Sequence, residues 1–230
     1  MNLPHVITID GPAGAGKSTL GELLARRLGY LYFDTGVMYR ALTLSALEQA
    51  LDSHDGDALA ALAHRLEIQV LPPDHADGRL NTIRIDGRDV TWELRQQDVE
   101  QHVSAISGHP QVRAVMRTRQ RAIGARGRVV MVGRDIGNIV MPDAQLKIYL
   151  ETSLSERARR RTDELRARGR AIELGDVQSE VARRDQLDLH VMSPAPDAIV
   201  LYGDELSPEQ EVDTILAYLA SNDPTASTAR

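Results

Sequence analysis

An eight-residue run, Gly11-Pro12-Ala13-Gly14-Ala15-Gly16-Lys17-Ser18, constrains this chain more than any other feature. It fits G-x-x-x-x-G-K-[ST] at every fixed position. Its surroundings fit too. Val6-Ile7-Thr8-Ile9 reads as a buried strand before it, and Leu20, Leu23, Leu24 and Leu28 repeat at helical spacing after it, up to a closing Gly29. Glycines let the backbone curl until its N–H groups converge on phosphate oxygens. The following helix adds the positive end of its dipole. Lys17 then offers a point charge to the outer phosphates, and Ser18, beside Thr19, offers a hydroxyl to Mg2+. A phosphate-binding loop over Gly11 to Thr19 is the expectation.

Beyond the loop, strand and helix patterns alternate. Tyr30 to Phe33, Val129 to Val132, Leu146 to Leu150 and Ile199 to Tyr202 read as strands. Tyr39 to Leu51, Ala58 to Leu66, Ser155 to Arg170 and the segment after Ser207 read as helices, with Ser153 and Glu156 as a capping box. This rhythm predicts an α/β, three-layer fold with a central parallel sheet. Two stretches interrupt it. Ile68 to Val90 reads as a small antiparallel sheet with a hairpin turn at Asp86-Gly87. Arg157 to His190 reads as a charged, weakly apolar helical hairpin able to move. The expected layout is one domain over 1–222, with an insertion at about 36–110, a lid at about 153–191 and a disordered tail over 223–230.

Composition removes several functions. The 230 residues contain no cysteine, which excludes a disulfide scaffold, a thiolate metal site and a cysteine nucleophile. The net charge of −6 and 3% aromatic content argue against a general nucleic-acid binder. No apolar run is long enough to span a bilayer, and the amino terminus lacks the basic start of a signal peptide, so a cytoplasmic protein is expected. The histidines show no zinc-ligand spacing. Lys17 and Lys147 are the two lysines; the other basic side chains are arginine, the residue suited to bidentate phosphate recognition.

Among nucleotide users, a GTPase is disfavoured because neither lysine lies in N/T-K-x-D. A motor ATPase is disfavoured because Val129 to Val132 runs into Gly133-Arg134-Asp135 rather than Asp-Glu. Asp204-Glu205 reads as a pair of solvated loop charges. Asp34-Thr35-Gly36 with Tyr39-Arg40 follows a strand: Arg40 can clamp an acceptor phosphate, or Asp34 can serve only as a helix cap. Arg134 and Asp135 offer a cation and a carboxylate together, or a structural salt bridge. Arginines cluster at Arg113, Arg117, Arg119 and Arg121, and again at Arg157, Arg159, Arg160 and Arg161. They are either solvated helix faces or cations brought to a phosphoryl group by closure.

In this order the pieces resemble the bacterial cytidylate kinases, which pass the γ-phosphate of ATP to CMP or dCMP. The likeness runs from about Val6 to about Leu219. It takes in the loop, Asp34 to Arg40, the Ile85-Asp86-Gly87 hairpin, Val103 to Ser107, Pro110 to Arg113, Gly133 to Gly137, Pro142 to Leu150, Arg184 to Asp188 and Pro196-Asp197-Ala198. The resemblance implies a core, an acceptor-binding insertion and a lid. It implies that Ser104, Arg113 and Asp135 read cytosine, and that Arg40 and Arg134 clamp the acceptor phosphate, with Asp34, Thr35 and Tyr39 nearby. Arg184 and Asp188 would reach the sugar, and Arg157 and Arg160 would act as lid arginines at ATP. ATP is the implied donor, Mg2+ the implied cofactor, and Lys17, Arg40 and Arg134 the implied catalytic cations. The chain departs from the pattern at Val132, where the family usually carries an acid, and at Val191, where it often carries an arginine. The first departure moves the orienting of Mg2+-bound water onto Asp10. The expected protein is a monomer acting on CMP, dCMP and ATP. Its rivals are a kinase of UMP or another small acceptor, and a nucleotide binder that transfers nothing.

Overall fold

The computed structural model describes residues 3–167, 169–189 and 192–221. It divides into one unit made of Met1–Tyr30 with Arg128–Arg230, and a second made of Leu31–Gly127. The first unit opens with β1 (Val6–Asp10) and α1 (Lys17–Leu28). The second unit follows with β2 (Leu31–Asp34), α2 (Gly36–Glu48), α3 (Gly56–Arg65), β3 (Ile68–Leu71), β4 (Thr82–Ile85), β5 (Arg88–Asp89), α4 (Gln97–Gly108) and α5 (Pro110–Gly124). The chain then returns to the first unit through β6 (Val129–Val132), β7 (Leu146–Glu151), α6 (Leu154–Ala167), α7 (Leu174–Asp188), β8 (Ile199–Tyr202) and α8 (Pro208–Ser221).

In the first unit, strands β6, β1, β7 and β8 lie parallel in that order. β1 and β6 are buried along their whole length, which is why they read as continuous apolar runs. Ile9 pairs with Val132, and Asp10 with Tyr149. The carboxyl ends of β1, β6 and β7 therefore share one edge of the sheet, where α/β proteins place their ligands. Helix α1 buries Leu20, Leu24 and Ala25 and stops at Gly29, whose left-handed backbone returns its N–H to Ala25 O and Arg26 O. The hairpin of α6 and α7 is less empty of apolar contact than its composition implied. Leu165, Val177 and Val181 form a small core, with Leu154 and Ile172 packed against it.

The predicted capping box is only half formed. Ser153 Oγ accepts from Glu156 N–H at 3.2 Å, but the Glu156 carboxylate pairs with Arg159 and Arg160 instead of returning. Ser153 N–H donates to Asp204 Oδ1 at 2.9 Å. Asp204 is the exposed loop charge that was expected, and it also tethers the start of α6.

In the second unit, β3, β4 and β5 form the expected antiparallel sheet. Ile85 pairs with Arg88 around Asp86 (φ 50°) and Gly87 (φ 83°), the two positive angles that a tight two-residue hairpin needs. The loop between β3 and β4 is held by Arg79, which pairs with Asp77 at 2.7 Å and Asp89 at 2.6 Å. Helix α3 starts at Asp55, whose carboxylate accepts from Ala58 N–H at 2.9 Å. Arg119 of the predicted arginine cluster donates to the carbonyls of Leu66 and His64 and so caps the other end of α3. Among the described residues no helix is long and apolar enough to cross a membrane.

Candidate active site

The glycine-rich loop leaves β1 with its geometry fixed by sterics. Gly11 has φ +147°, and a Cβ there would stand 2.3 Å from Leu150 O, so no other residue fits. Gly16, left-handed at φ 100°, precedes α1, and no side chain caps that helix. Its first-turn N–H groups are therefore not consumed by a side-chain cap, the arrangement that suits an anion. Lys17 Nζ folds back along the loop and donates to Pro12 O at 2.6 Å. Ser18 and Thr19 are exposed on the first turn. From outside, Arg157 Nη1 donates to Ala13 O at 3.0 Å and Thr152 Oγ1 to Ala15 O at 3.1 Å.

β6 delivers the second part of this edge. Gly133 N–H continues the pairing onto Ile9 O at 3.1 Å, so Arg134 and Asp135 emerge beside the end of β1. Arg134 is half-buried, and Asp135 is buried. A π-helical turn over Ile136–Val140 follows. Asp10 anchors it: its two carboxylate oxygens accept from Ile136 N–H at 2.8 Å and Gly137 N–H at 2.7 Å. Gly137 eases that approach, because a Cβ would lie 3.0 Å from Thr8 Oγ1 and 3.2 Å from Asp10 Oδ2 and would press on both. Burial pushes the Asp10 carboxyl up to about 6; the two N–H donors and Lys17 oppose the rise, and the nearby Asp135 charge adds to it. Asp10, Lys17 and Asp135 therefore share one electrostatic neighbourhood.

Helix α6 supplies both arginines expected of a lid, and α7 packs against it. Arg157 is buried and forms a bidentate pair with Asp185 at 3.0 and 2.6 Å. Arg160 donates to Glu156 and to Gly203 O, and its Nη1 faces the loop at Gly16. Arg159 and Arg161 pair along their own exposed face with Glu156, Asp163 and Glu164, the solvated reading of the cluster. Arg184 is half-buried on α7. Asp188 ends that helix, but its side chain lies outside the described residues, as does Val191. Lys147, the second lysine, is buried in β7 and binds Pro142 O and both oxygens of Asp197, an anchor for the loop before β8.

Glu211 on α8 was not singled out by any motif. It is buried beside Gly203, and burial pushes its carboxyl up to about 7 against the opposing pull of Arg160. A folded pKa above the unfolded value stabilises most at acid pH, and this contribution is lost as pH rises from about 4.5 through 7. Glu211→Gln is therefore expected to leave the melting temperature unchanged near pH 4.5. At pH 8 it should raise stability by about 1–2 kcal/mol, or about 2–8 °C. Melts of both proteins across this range check the sign; an equal difference at both ends would refute it.

In the second unit, Asp34 accepts from Gly36 N–H at 2.9 Å, the capping role. Its carboxylate and the Arg40 guanidinium flank Gly36, where an added Cβ would lie 3.0 and 3.2 Å from them. Thr35 is buried at the start of α2. Arg113 on α5 stacks over the Tyr39 ring at 6.0 Å. Ser104 is exposed on α4, and α4 packs against α2 and α5. Asp74, His75 and Asp89 lie close enough together to share a metal ion, but Arg79 pairs with both aspartates and supplies the positive charge there.

The sequence profile of the cytidylate kinase family matches residues 7–221. The chain belongs to the cytidylate kinase family. It is 64% identical over 221 residues to a cytidylate kinase of Roseiflexus castenholzii, covering 96% of this chain and 95% of that one. It is 56% identical to a cytidylate kinase of Chloroflexus aggregans, covering 94% of each. A solved shikimate kinase of Bacteroides thetaiotaomicron shares the fold at 14% identity, with a TM-score of 0.52 over 95% of this chain and 99% of that one. Membership makes this chain a nucleoside monophosphate kinase that phosphorylates CMP and dCMP, with ATP as donor.

Proposed function

We propose that the residues described above divide the reaction between donor and acceptor. Gly11, Pro12, Ala13, Gly14, Ala15, Gly16, Lys17, Ser18 and Thr19 bind the ATP phosphates, helped by Arg157 and Arg160. Arg40 and Arg134 clamp the acceptor phosphate, and Asp34, Thr35 and Tyr39 add further acceptor contacts. Ser104, Arg113 and Asp135 read the base, and Arg184 and Asp188 the sugar. The observation that carries this reading is the parallel register of β1 and β6, which ends a phosphate loop and an arginine–carboxylate pair at one sheet edge.

An acceptor phosphate oxygen is already anionic, so its attack on the γ-phosphorus needs no general base. ADP leaves as the new bond forms. The protein's task is positioning and charge neutralisation, and Lys17, Arg40 and Arg134 supply the cations. The exposed Ser18 hydroxyl is a hard oxygen donor that suits Mg2+, and Asp10 keeps lone pairs able to accept from metal-bound water. Bound there, Mg2+ would neutralise charge on the transferring phosphoryl oxygens.

The α6–α7 hairpin is assigned as the lid of a single catalytic domain, and one chain carries every assigned group, so the reading requires no second subunit. A coupled ADP-release assay tests the whole reading. ADP should appear rapidly with CMP and dCMP, slowly with UMP, and not without an acceptor. Equal release with and without a monophosphate would overturn the acceptor assignments.

A further inference from the structure

Arg157 spends its donors in an unusual way for a group expected to touch nucleotide. Nε donates to Thr152 O at 2.9 Å, Nη1 to Ala13 O at 3.0 Å and to Asp185 Oδ1 at 3.0 Å, and Nη2 to Asp185 Oδ2 at 2.6 Å. Its side chain is 6% exposed and that of Asp185 19%. A planar guanidinium held bidentately on one side has its remaining N–H directions fixed. Asp185 thus determines where Arg157 meets the phosphate loop. That meeting point is the Ala13 carbonyl. In a trans peptide the carbonyl of one residue and the N–H of the next point in opposite directions. Pinning Ala13 O toward α6 turns the Gly14 N–H away from α6. Thr152 Oγ1, holding Ala15 O, does the same for the Gly16 N–H. Two alternate peptides of the loop are thereby oriented from behind by groups that need not reach the nucleotide.

We propose that Asp185 is a positioning residue of the ATP site, acting through Arg157 on the Ala13–Gly14 peptide. This rests on the reading of Gly11 to Thr19 as the ATP loop, and it recasts the role of Arg157 there as indirect.

The test is equilibrium binding of a fluorescent ATP analogue in the absence of acceptor, together with KM for ATP and for CMP and with melting temperature. Asp185→Asn keeps the shape but replaces one accepting oxygen by a donor facing Arg157. It should weaken analogue binding and raise KM for ATP by about tenfold, leaving KM for CMP within about twofold. Asp185→Glu, which keeps the charge, should recover part of the loss. Arg157→Lys, with a point charge that cannot span three partners, should match Asp185→Asn. Unchanged ATP affinity, or ATP and CMP constants rising together with a fallen melting temperature, would overturn the proposal. Should Asp185→Asn fail to fold, the Glu and Lys variants carry the same comparison. Failure of the wild-type protein to bind the analogue at all would instead overturn the loop assignment.

Discussion

Replacing Lys17 by alanine is expected to lower turnover by on the order of 10²-fold or more while the melting temperature stays near that of the wild type. Lys17 lies in the first turn of α1, and its ammonium donates to Pro12 O, within the loop itself. The other lysine, Lys147, is buried in β7 and committed to Pro142 O and Asp197, so it does not substitute for it. Loss of a cation that meets the transferring phosphoryl group removes stabilisation that is largest in the transition state, so kcat should fall more than ATP affinity. Stability is little affected because the buried contacts of α1 are made by Leu20, Leu24 and Ala25. Steady-state kinetics beside a thermal melt decides the matter. Near wild-type turnover in a folded variant would show that Lys17 does not act on the phosphoryl group.

What could be read from the sequence was whatever depends on near neighbours. The loop from Gly11 to Ser18, the Gly29 helix end and the Asp86-Gly87 hairpin each rest on backbone angles or spacings within a few residues, and each stands where it was expected. The groups that fix the site from behind were not legible. Arg157 meets Asp185 across 28 positions, and Asp10 meets Gly137 across 127. No local pattern marks such partners. Asp185 lies between Arg184 and Asp188, which drew the functional reading, and Glu211 looks like any acid in the first turn of a helix. Charge runs hid the difference between a buried arginine and its solvated neighbours. Arg157 and Arg161 stand one turn apart on α6, yet Arg157 is buried against the loop while Arg161 pairs with Glu164 in solvent.

Asp135 is where recognition of the acceptor should be separable from the chemistry. It is buried at the end of β6, and its own carbonyl receives the N–H groups of Ile139 and Val140 at 2.8 and 3.3 Å. The backbone there is held by the π-helical turn and by Asp10, so truncating the side chain should leave the turn in place. Cytosine presents an amino donor beside a ring acceptor, and a carboxylate complements that donor. Asp135→Ala should therefore raise KM for CMP by about 10- to 100-fold, the cost of about 1–3 kcal/mol for a buried donor left without an acceptor. KM for ATP should stay within about twofold. Asp135→Asn sharpens the test, because its amide N–H2 opposes the cytosine amino group but suits the carbonyl that uracil carries at the same position. The ratio of CMP to UMP efficiency should fall further in the Asn variant than in the Ala variant. Should ATP and CMP constants rise equally in both, Asp135 serves the metal or the loop rather than the base, since it shares the surroundings of Asp10 and Lys17.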